Sequence, residues 1–183
     1  IIIPNKDHIE DLDKCLQSLE ERSTYKNIEY IIVENNSTEE KTFTFYKELE
    51  RDNPRVHVVY WKGIFNYSAI NNFGITKAKG EYLLLLNNDT EIINENCIEE
   101  LLGYCMRDDV GAVGARLYYE DGTIQHAGVV VGFGGIAGHC FVQQKRGVTG
   151  YCHRIICAQD YSAVTAACMM VKRKAYDDAG GLS

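Results

Sequence analysis

Gly80-Glu81-Tyr82-Leu83-Leu84-Leu85-Leu86-Asn87-Asn88-Asp89-Thr90 is the stretch on which the reading of this chain turns. Its apolar run is too short to cross a membrane and suits a strand buried on both faces. The run stops abruptly at three polar side chains, Asn87, Asn88 and Asp89. In an open α/β sheet, ligands bind just beyond the carboxyl ends of strands. A carboxylate flanked by amide oxygens suits a hard divalent cation such as Mg²⁺ or Mn²⁺, which binds through one or two carboxylates plus a substrate's phosphates. A plain turn, with Asn88 and Asp89 bonding local backbone, accounts for the same residues.

Upstream, short apolar runs alternate with helical spacing. Ile1-Ile2-Ile3-Pro4 reads as a buried strand ending at proline. Asp7 is placed to cap a helix with Ile9, Leu12, Leu16 and Leu19 on its inner face. A second strand, Glu29 to Val33, ends at Glu34-Asn35-Asn36-Ser37. Residues 39–50 follow as a helix facing inward through Phe45, Tyr46 and Leu49. Val56 to Trp61 reads as a third strand. Ser68 caps a helix reaching Lys79, with Ile70 and Phe73 inward, and Asn94 caps another carrying Ile98, Leu101, Leu102 and Cys105. Strands alternating with helices imply right-handed crossovers and a mostly parallel sheet covered on both faces. The clusters after Val33 and Leu86 would then share one sheet edge, which favours a site over a turn.

Composition agrees. A chain of 183 residues with 45% hydrophobic and 25% charged residues suits one globular domain. A net charge of -7 without a basic run argues against general nucleic-acid binding. It leaves room for one nucleotide, whose charge a metal can offset. Seven scattered cysteines, several on apolar positions, point to a reducing compartment. The chain opens without Met and stops just after a helical pattern, so it reads as a piece of something longer.

After Asp109 the texture changes, dividing the domain into a half at about 1–109 and a half at about 110–183. Val110 to Tyr119 is expected as a strand, Asp121-Gly122 as a hairpin turn and Ile124 to Val131 as the partner strand. Ala163 to Val171 is expected as a late strand, and Arg173 to Ala179 as a short helix stopped by Gly180-Gly181. Gly132-Phe133-Gly134-Gly135-Ile136-Ala137 matches a dinucleotide fingerprint, yet no helix pattern follows it and it comes late in the chain. His139-Cys140 with Cys152-His153 and Cys157 fits no standard zinc spacing. Neither a P-loop nor a G-x-S-x-G elbow is present.

Taken together, Ile1-Ile2-Ile3-Pro4, Cys15-Leu16-Gln17-Ser18-Leu19, Ile31-Ile32-Val33-Glu34-Asn35-Asn36-Ser37, Asn72-Phe73-Gly74-Ile75 with Ala78-Lys79-Gly80-Glu81-Tyr82, and Leu86-Asn87-Asn88-Asp89 resemble the family 2 glycosyltransferases of the GT-A fold. Val113-Gly114-Ala115, Ile124-Gln125-His126-Ala127-Gly128, Thr165-Ala166-Ala167-Cys168 and Gly180-Gly181 are similar to the rhamnosyltransferase-like branch. The resemblance implies a nucleotide border at Pro4, Asn5 and Asp7, a base or ribose contact from Glu34, and a place for Asn36 among the nucleotide-binding residues. It also implies a role near the nucleotide for Asn72. Asn87-Asn88-Asp89 matches the family's D-x-D motif, with Asp89 the metal ligand and Asn87 in place of its first acid. Asn71 stands where an arginine is common.

The activity so implied is metal-assisted, inverting transfer of a sugar from a UDP- or dTDP-sugar to a saccharide or lipid-linked acceptor, in cell-surface polysaccharide synthesis. It would take place in the cytoplasm at the inner face of the membrane, with peripheral association of the full-length protein. Such displacement needs a carboxylate base, which the family carries after its Gly-Gly segment. Asp160, Asp177 and Asp178 are the late carboxylates here, and the base is expected beyond Ser183. Two rivals stand beside this reading. A sugar-1-phosphate nucleotidyltransferase would by resemblance want a glycine-rich basic loop after the first strand, which Pro4-Asn5-Lys6-Asp7 does not supply. A non-catalytic nucleotide-sugar-binding module would tolerate Asn87 and a missing base.

Overall fold

The computed structural model describes residues 1–183. Strand β1 (Ile2–Asn5), helix α1 (Ile9–Arg22), β2 (Tyr30–Asn35), α2 (Glu40–Asp52), β3 (Val56–Trp61), α3 (Tyr67–Ile75), β4 (Tyr82–Leu86) and α4 (Cys97–Cys105) form the first half. The second half holds short strands: β5 (Ala112–Gly114), β6 (Leu117–Tyr118), β7 (Ile124–His126), β8 (Val129–Val131) and β9 (Ala137–His139). It closes with β10 (Cys168–Lys172) and α5 (Arg173–Asp178).

Six strands make one sheet in the order β3-β2-β1-β4-β10-β5. The first four are parallel, while β10 runs antiparallel to both β4 and β5. Two small ribbons, β6–β7 and β8–β9, stand apart from it. Alternation along each strand sends successive side chains to opposite faces. Ile3, Tyr30, Ile32, Leu84, Leu86 and Met170 pack toward α1, α2 and α4, around Leu12, Tyr46 and Leu101. Ile2, Ile31, Val33, Leu83, Leu85 and Val171 pack toward α3 and α5, around Ile70 and Tyr176. The apolar runs are continuous because both faces are covered. Gly74 sets the depth at which α3 sits: a Cβ there would lie 2.6 Å from a Val33 methyl and 2.8 Å from one of Ile2.

Several local expectations are corrected. Strand β1 runs through Pro4 to Asn5. Helix α1 begins at His8 with no side-chain cap, and Asp7 serves another helix instead. Helix α3 is capped by Asn66, whose side chain accepts from the Ala69 N–H at 2.9 Å, and it ends at Ile75. Helix α4 starts at Cys97, after Asn96, whose side chain makes no capping bond. The expected strand from Val110 breaks between Gly114 and Leu117, and the one from Ile124 breaks at Gly128 (φ 106°), where a Cβ would strike the Tyr161 ring. Asp121-Gly122 does form the hairpin turn, with the Asp121 carboxylate accepting from the Thr123 N–H at 2.8 Å. The Gly132 to Ala137 segment is the turn of the β8–β9 ribbon, with no helix after it. Residues 163–167 lie outside β10.

Candidate active site

The site grows from the carboxyl edge of the sheet. There Asn5 of β1 lies beside Glu34 of β2 in parallel register, and β4 delivers Asn87 just past Leu86. A continuous hydrogen-bonded series ties these ends together. Asn88 Nδ2 donates to Asn5 Oδ1 at 2.7 Å, and Asn5 Nδ2 donates to the Tyr46 hydroxyl at 2.8 Å. That hydroxyl donates to Glu34 Oε2 at 2.8 Å. Ser37 adds its hydroxyl to the same oxygen at 2.5 Å, and its N–H to Oε1 at 2.5 Å. Glu34 is only 2% exposed, so these donors replace the water it lost on folding. Burial, reinforced by the Glu34 carboxylate against the bond from Asn5, pushes the Tyr46 hydroxyl above its ordinary range and keeps it a donor.

The series continues into the loop after β1. The Asp7 N–H donates to Ser37 Oγ at 2.9 Å. The Asp7 carboxylate accepts from the N–H groups of Thr38 at 2.9 Å and Glu39 at 3.1 Å, and from the Thr42 hydroxyl at 3.3 Å. It therefore satisfies the start of α2, a neighbour on the same face of the sheet as its own helix α1. Burial raises its pKa, but the bonds from Glu39 and Thr38 outweigh that and hold it below the usual carboxylate value. The left-handed conformations of Asp7 (φ 59°) and Asn36 (φ 56°) shape this loop pair. Asn36 Nδ2 donates to the Gly63 carbonyl at 2.8 Å. Pro4 sits half-buried within β1.

Asp89 lies in a different setting. A backbone turn does form there, with the Thr90 N–H donating to the Asn87 carbonyl at 3.3 Å. The turn leaves the Asp89 side chain exposed, and none of the chain's ion pairs involves it. Asp89 and Asn87 line a cleft of about 630 Å³ whose far wall comes from the second half, including Arg116, Tyr119, Gln125 and His139. No three His, Cys, Asp or Glu side chains converge on one point anywhere in the chain. An unpaired hard carboxylate in an open cleft nevertheless fits a cation that takes its other ligands from water and a diphosphate.

Thus the structure brings Asn5, Asp7, Glu34 and Asn88 into one bonded series and leaves Asn87 and Asp89 facing the cleft. Asn72 is drawn elsewhere: its side chain bonds the Leu182 carbonyl and N–H at 2.9 and 3.0 Å and the Tyr176 hydroxyl, gripping the Gly180-Gly181 turn. The late carboxylates lie outside the cleft. Asp177 and Asp178 are exposed on α5, and Asp160 lines a separate cleft with Arg107 and Arg154. Sequence reasoning passed over Tyr46 and Ser37 as site residues, although Tyr46 was legible as inward-facing. It also passed over two buried amide atoms without a partner, Asn35 Nδ2 and Asn71 Oδ1. Such orphans are rare unless a ligand or water completes them.

Comparison with known proteins now bears on this geometry. Residues 1–178 match the family described as Glycosyl transferase family 2. The fold is that of the GT-A glycosyltransferases, and the chain belongs to glycosyltransferase family 2. It is 43% identical over 183 residues to the uncharacterized protein y4gI of Sinorhizobium fredii, covering 100% of this chain and 20% of that protein. It is 39% identical to the O-antigen biosynthesis protein RfbC of Myxococcus xanthus, covering 99% of this chain and 14% of that protein. The chain therefore spans a fifth or less of the length of these relatives. Among solved structures it resembles the mannosyltransferase PcManGT from Pyrobaculum calidifontis in complex with GDP-Man and Mn²⁺, with a TM-score of 0.71 at 12% identity. That match covers 100% of this chain and 46% of the other. These matches favour glycosyl transfer over the nucleotidyltransferase reading. No helix is long and apolar enough to cross a membrane.

Proposed function

We propose that this chain binds a nucleoside-diphosphate sugar, UDP- or dTDP-linked, and serves inverting transfer to a saccharide or lipid-linked acceptor in cell-surface polysaccharide synthesis. The full-length protein would work at the inner face of the membrane, in the cytoplasm, through peripheral association. The observation that carries the reading is the contrast along one sheet edge. The ends of β1, β2 and α2 are locked by mutual hydrogen bonds, and next to them Asp89 opens unpaired on a cleft. Asp89, with Asn87 beside it, would hold Mn²⁺ or Mg²⁺, which when bound supplies positive charge against the departing diphosphate. Pro4, Asn5, Asp7, Glu34 and Asn36 would shape the nucleotide side of the edge. Asn72 would act on this side only indirectly, by fixing the Gly-Gly turn against α3.

That no late carboxylate lines the cleft supports a base supplied from outside this chain. The chain alone would then bind donor and transfer poorly, and equal turnover by a longer form would refute this. The substitution of Asn87 for an acid favours one second reading, a binding module without catalysis. Calorimetric titration of UDP with and without Mn²⁺ tests the shared core of both: binding that ignores the metal, or is unchanged in Asp89→Ala, overturns it.

A further inference from the structure

The wall of the cleft opposite Asp89 carries a pair of histidines in an unusual relation. His126 of β7 is 1% exposed, whereas His139 of β9 is exposed and lines the cleft. Their Nδ1 atoms are 3.1 Å apart, and the rings meet edge to face with centroids 4.9 Å apart. Two nitrogens at that distance share one proton. Which ring owns it follows from the other side of His126. There Nε2 accepts from the Gly128 N–H at 3.3 Å and the Thr165 N–H at 3.5 Å. A backbone N–H only donates, so Nε2 carries a lone pair and the ring proton sits on Nδ1. His126 thus donates to His139 Nδ1, and the proton of neutral His139 is fixed on Nε2. Burial, then the neighbouring His139, lowers the His126 pKa to about 4, which keeps that ring neutral.

We infer that His139 Nε2–H, oriented by His126, is a sugar-recognising donor that bonds a hydroxyl or ring oxygen of a pyranose seated in the cleft beyond Asp89. The inference rests on the donor-binding reading of the cleft and adds a sugar contact on its second wall. A fixed donor suits a hydroxyl-rich ligand here, complementing the Asp89 and Glu91 carboxylates that line the same cleft with Arg116 and Gln125. His139 is the contacting residue and His126 a positioning one. The pyranose could belong to the donor nucleotide or to the acceptor glycan, and the chemistry is the same for both.

The test uses the chain labelled with ¹⁵N-histidine. Long-range ¹H–¹⁵N spectra at neutral pH are expected to show His126 as the Nδ1–H tautomer and His139 as the Nε2–H tautomer. Any other pairing overturns the inference, whatever the protein binds. With Mn²⁺ present, UDP, UDP-glucose, dTDP-glucose and methyl glucoside are then titrated in turn. The His139 ring signals are expected to move with a sugar-bearing probe and not with UDP. A shift with nucleotide sugars alone assigns the donor sugar, and a shift with the free glycoside assigns the acceptor. No shift with any sugar overturns the inference. His139→Phe should weaken the effective sugar probe about tenfold while leaving UDP affinity unchanged, and His139→Gln should recover part of the loss. Equal losses for UDP and the sugar would also overturn it. Failure of the underlying donor reading shows separately, as UDP binding that ignores Asp89→Ala.

Discussion

Glu34 and Asp89 look alike in the sequence, each an acid just past an apolar run, and they stand at the ends of two strands that flank β1. In the structure they are opposites. Glu34 is enclosed, with Tyr46 and Ser37 filling its acceptor sites. Asp89 is exposed and unpaired. The difference teaches that one acid builds the rim and the other stays exposed and unpaired at the cleft, a contrast that only the third dimension reveals.

Four substitutions can break or sharpen this contrast. The largest effect is expected from Asp89→Ala: metal-dependent UDP affinity falls by about 100-fold or more, since the cation loses its fixed carboxylate. Its unfolding free energy in urea should stay within about 0.5 kcal/mol of the parent, as for an exposed site without partners. Glu34→Ala should do the reverse, costing about 3 kcal/mol in urea unfolding by leaving the buried Tyr46 and half-buried Ser37 donors without an acceptor. A loss under about 1 kcal/mol would show that Glu34 does not hold the rim. Tyr46→Phe removes the hydroxyl that joins Asn5 to Glu34 and is expected to cost about 1–2 kcal/mol. In a double-mutant cycle with Glu34→Ala, the two losses should fall short of additivity by about 1 kcal/mol. Asp7→Asn should cost least, about 0.5–1 kcal/mol, by weakening the cap on α2. Because its folded pKa is depressed, the stability Asp7 contributes is present above its unfolded value near 3.8 and fades as pH falls through the lower folded one. The gap between parent and Asp7→Asn should therefore close in acid.

Much of the sheet was legible because buried parallel strands leave a coarse signal. The runs at Ile1, Tyr30, Val56 and Leu83 were placed to within a residue or two, as was α2, while α3 was expected to run on to Lys79 and α4 to be capped at Asn94. The site was legible as a location more than as an arrangement. Asp7 reads locally as a cap for the helix that follows it, and nothing nearby says that Thr38, 31 residues on, supplies its donors. Glu34 reads as a strand-end acid in water, because the Tyr46 hydroxyl that encloses it comes from a separate helix. In the second half, two- and three-residue strands end at Gly114, Tyr118 and His126 before any periodicity accumulates. His139 drew notice beside Cys140, while its true neighbour, His126, lies 13 residues back on another ribbon.

Strand β10 has a consequence of its own. It enters from the far end of the chain, lies antiparallel along the whole of β4, and then carries β5 as the outermost strand. Just before it, the Ala167 carbonyl receives the Asn87 N–H at 2.9 Å. Residues 167–172 are thus a splint for the turn that presents Asp89. Without it, the most apolar strand of the protein would show a bare ladder of N–H and C=O groups, inviting another molecule to dock where its own tail belongs.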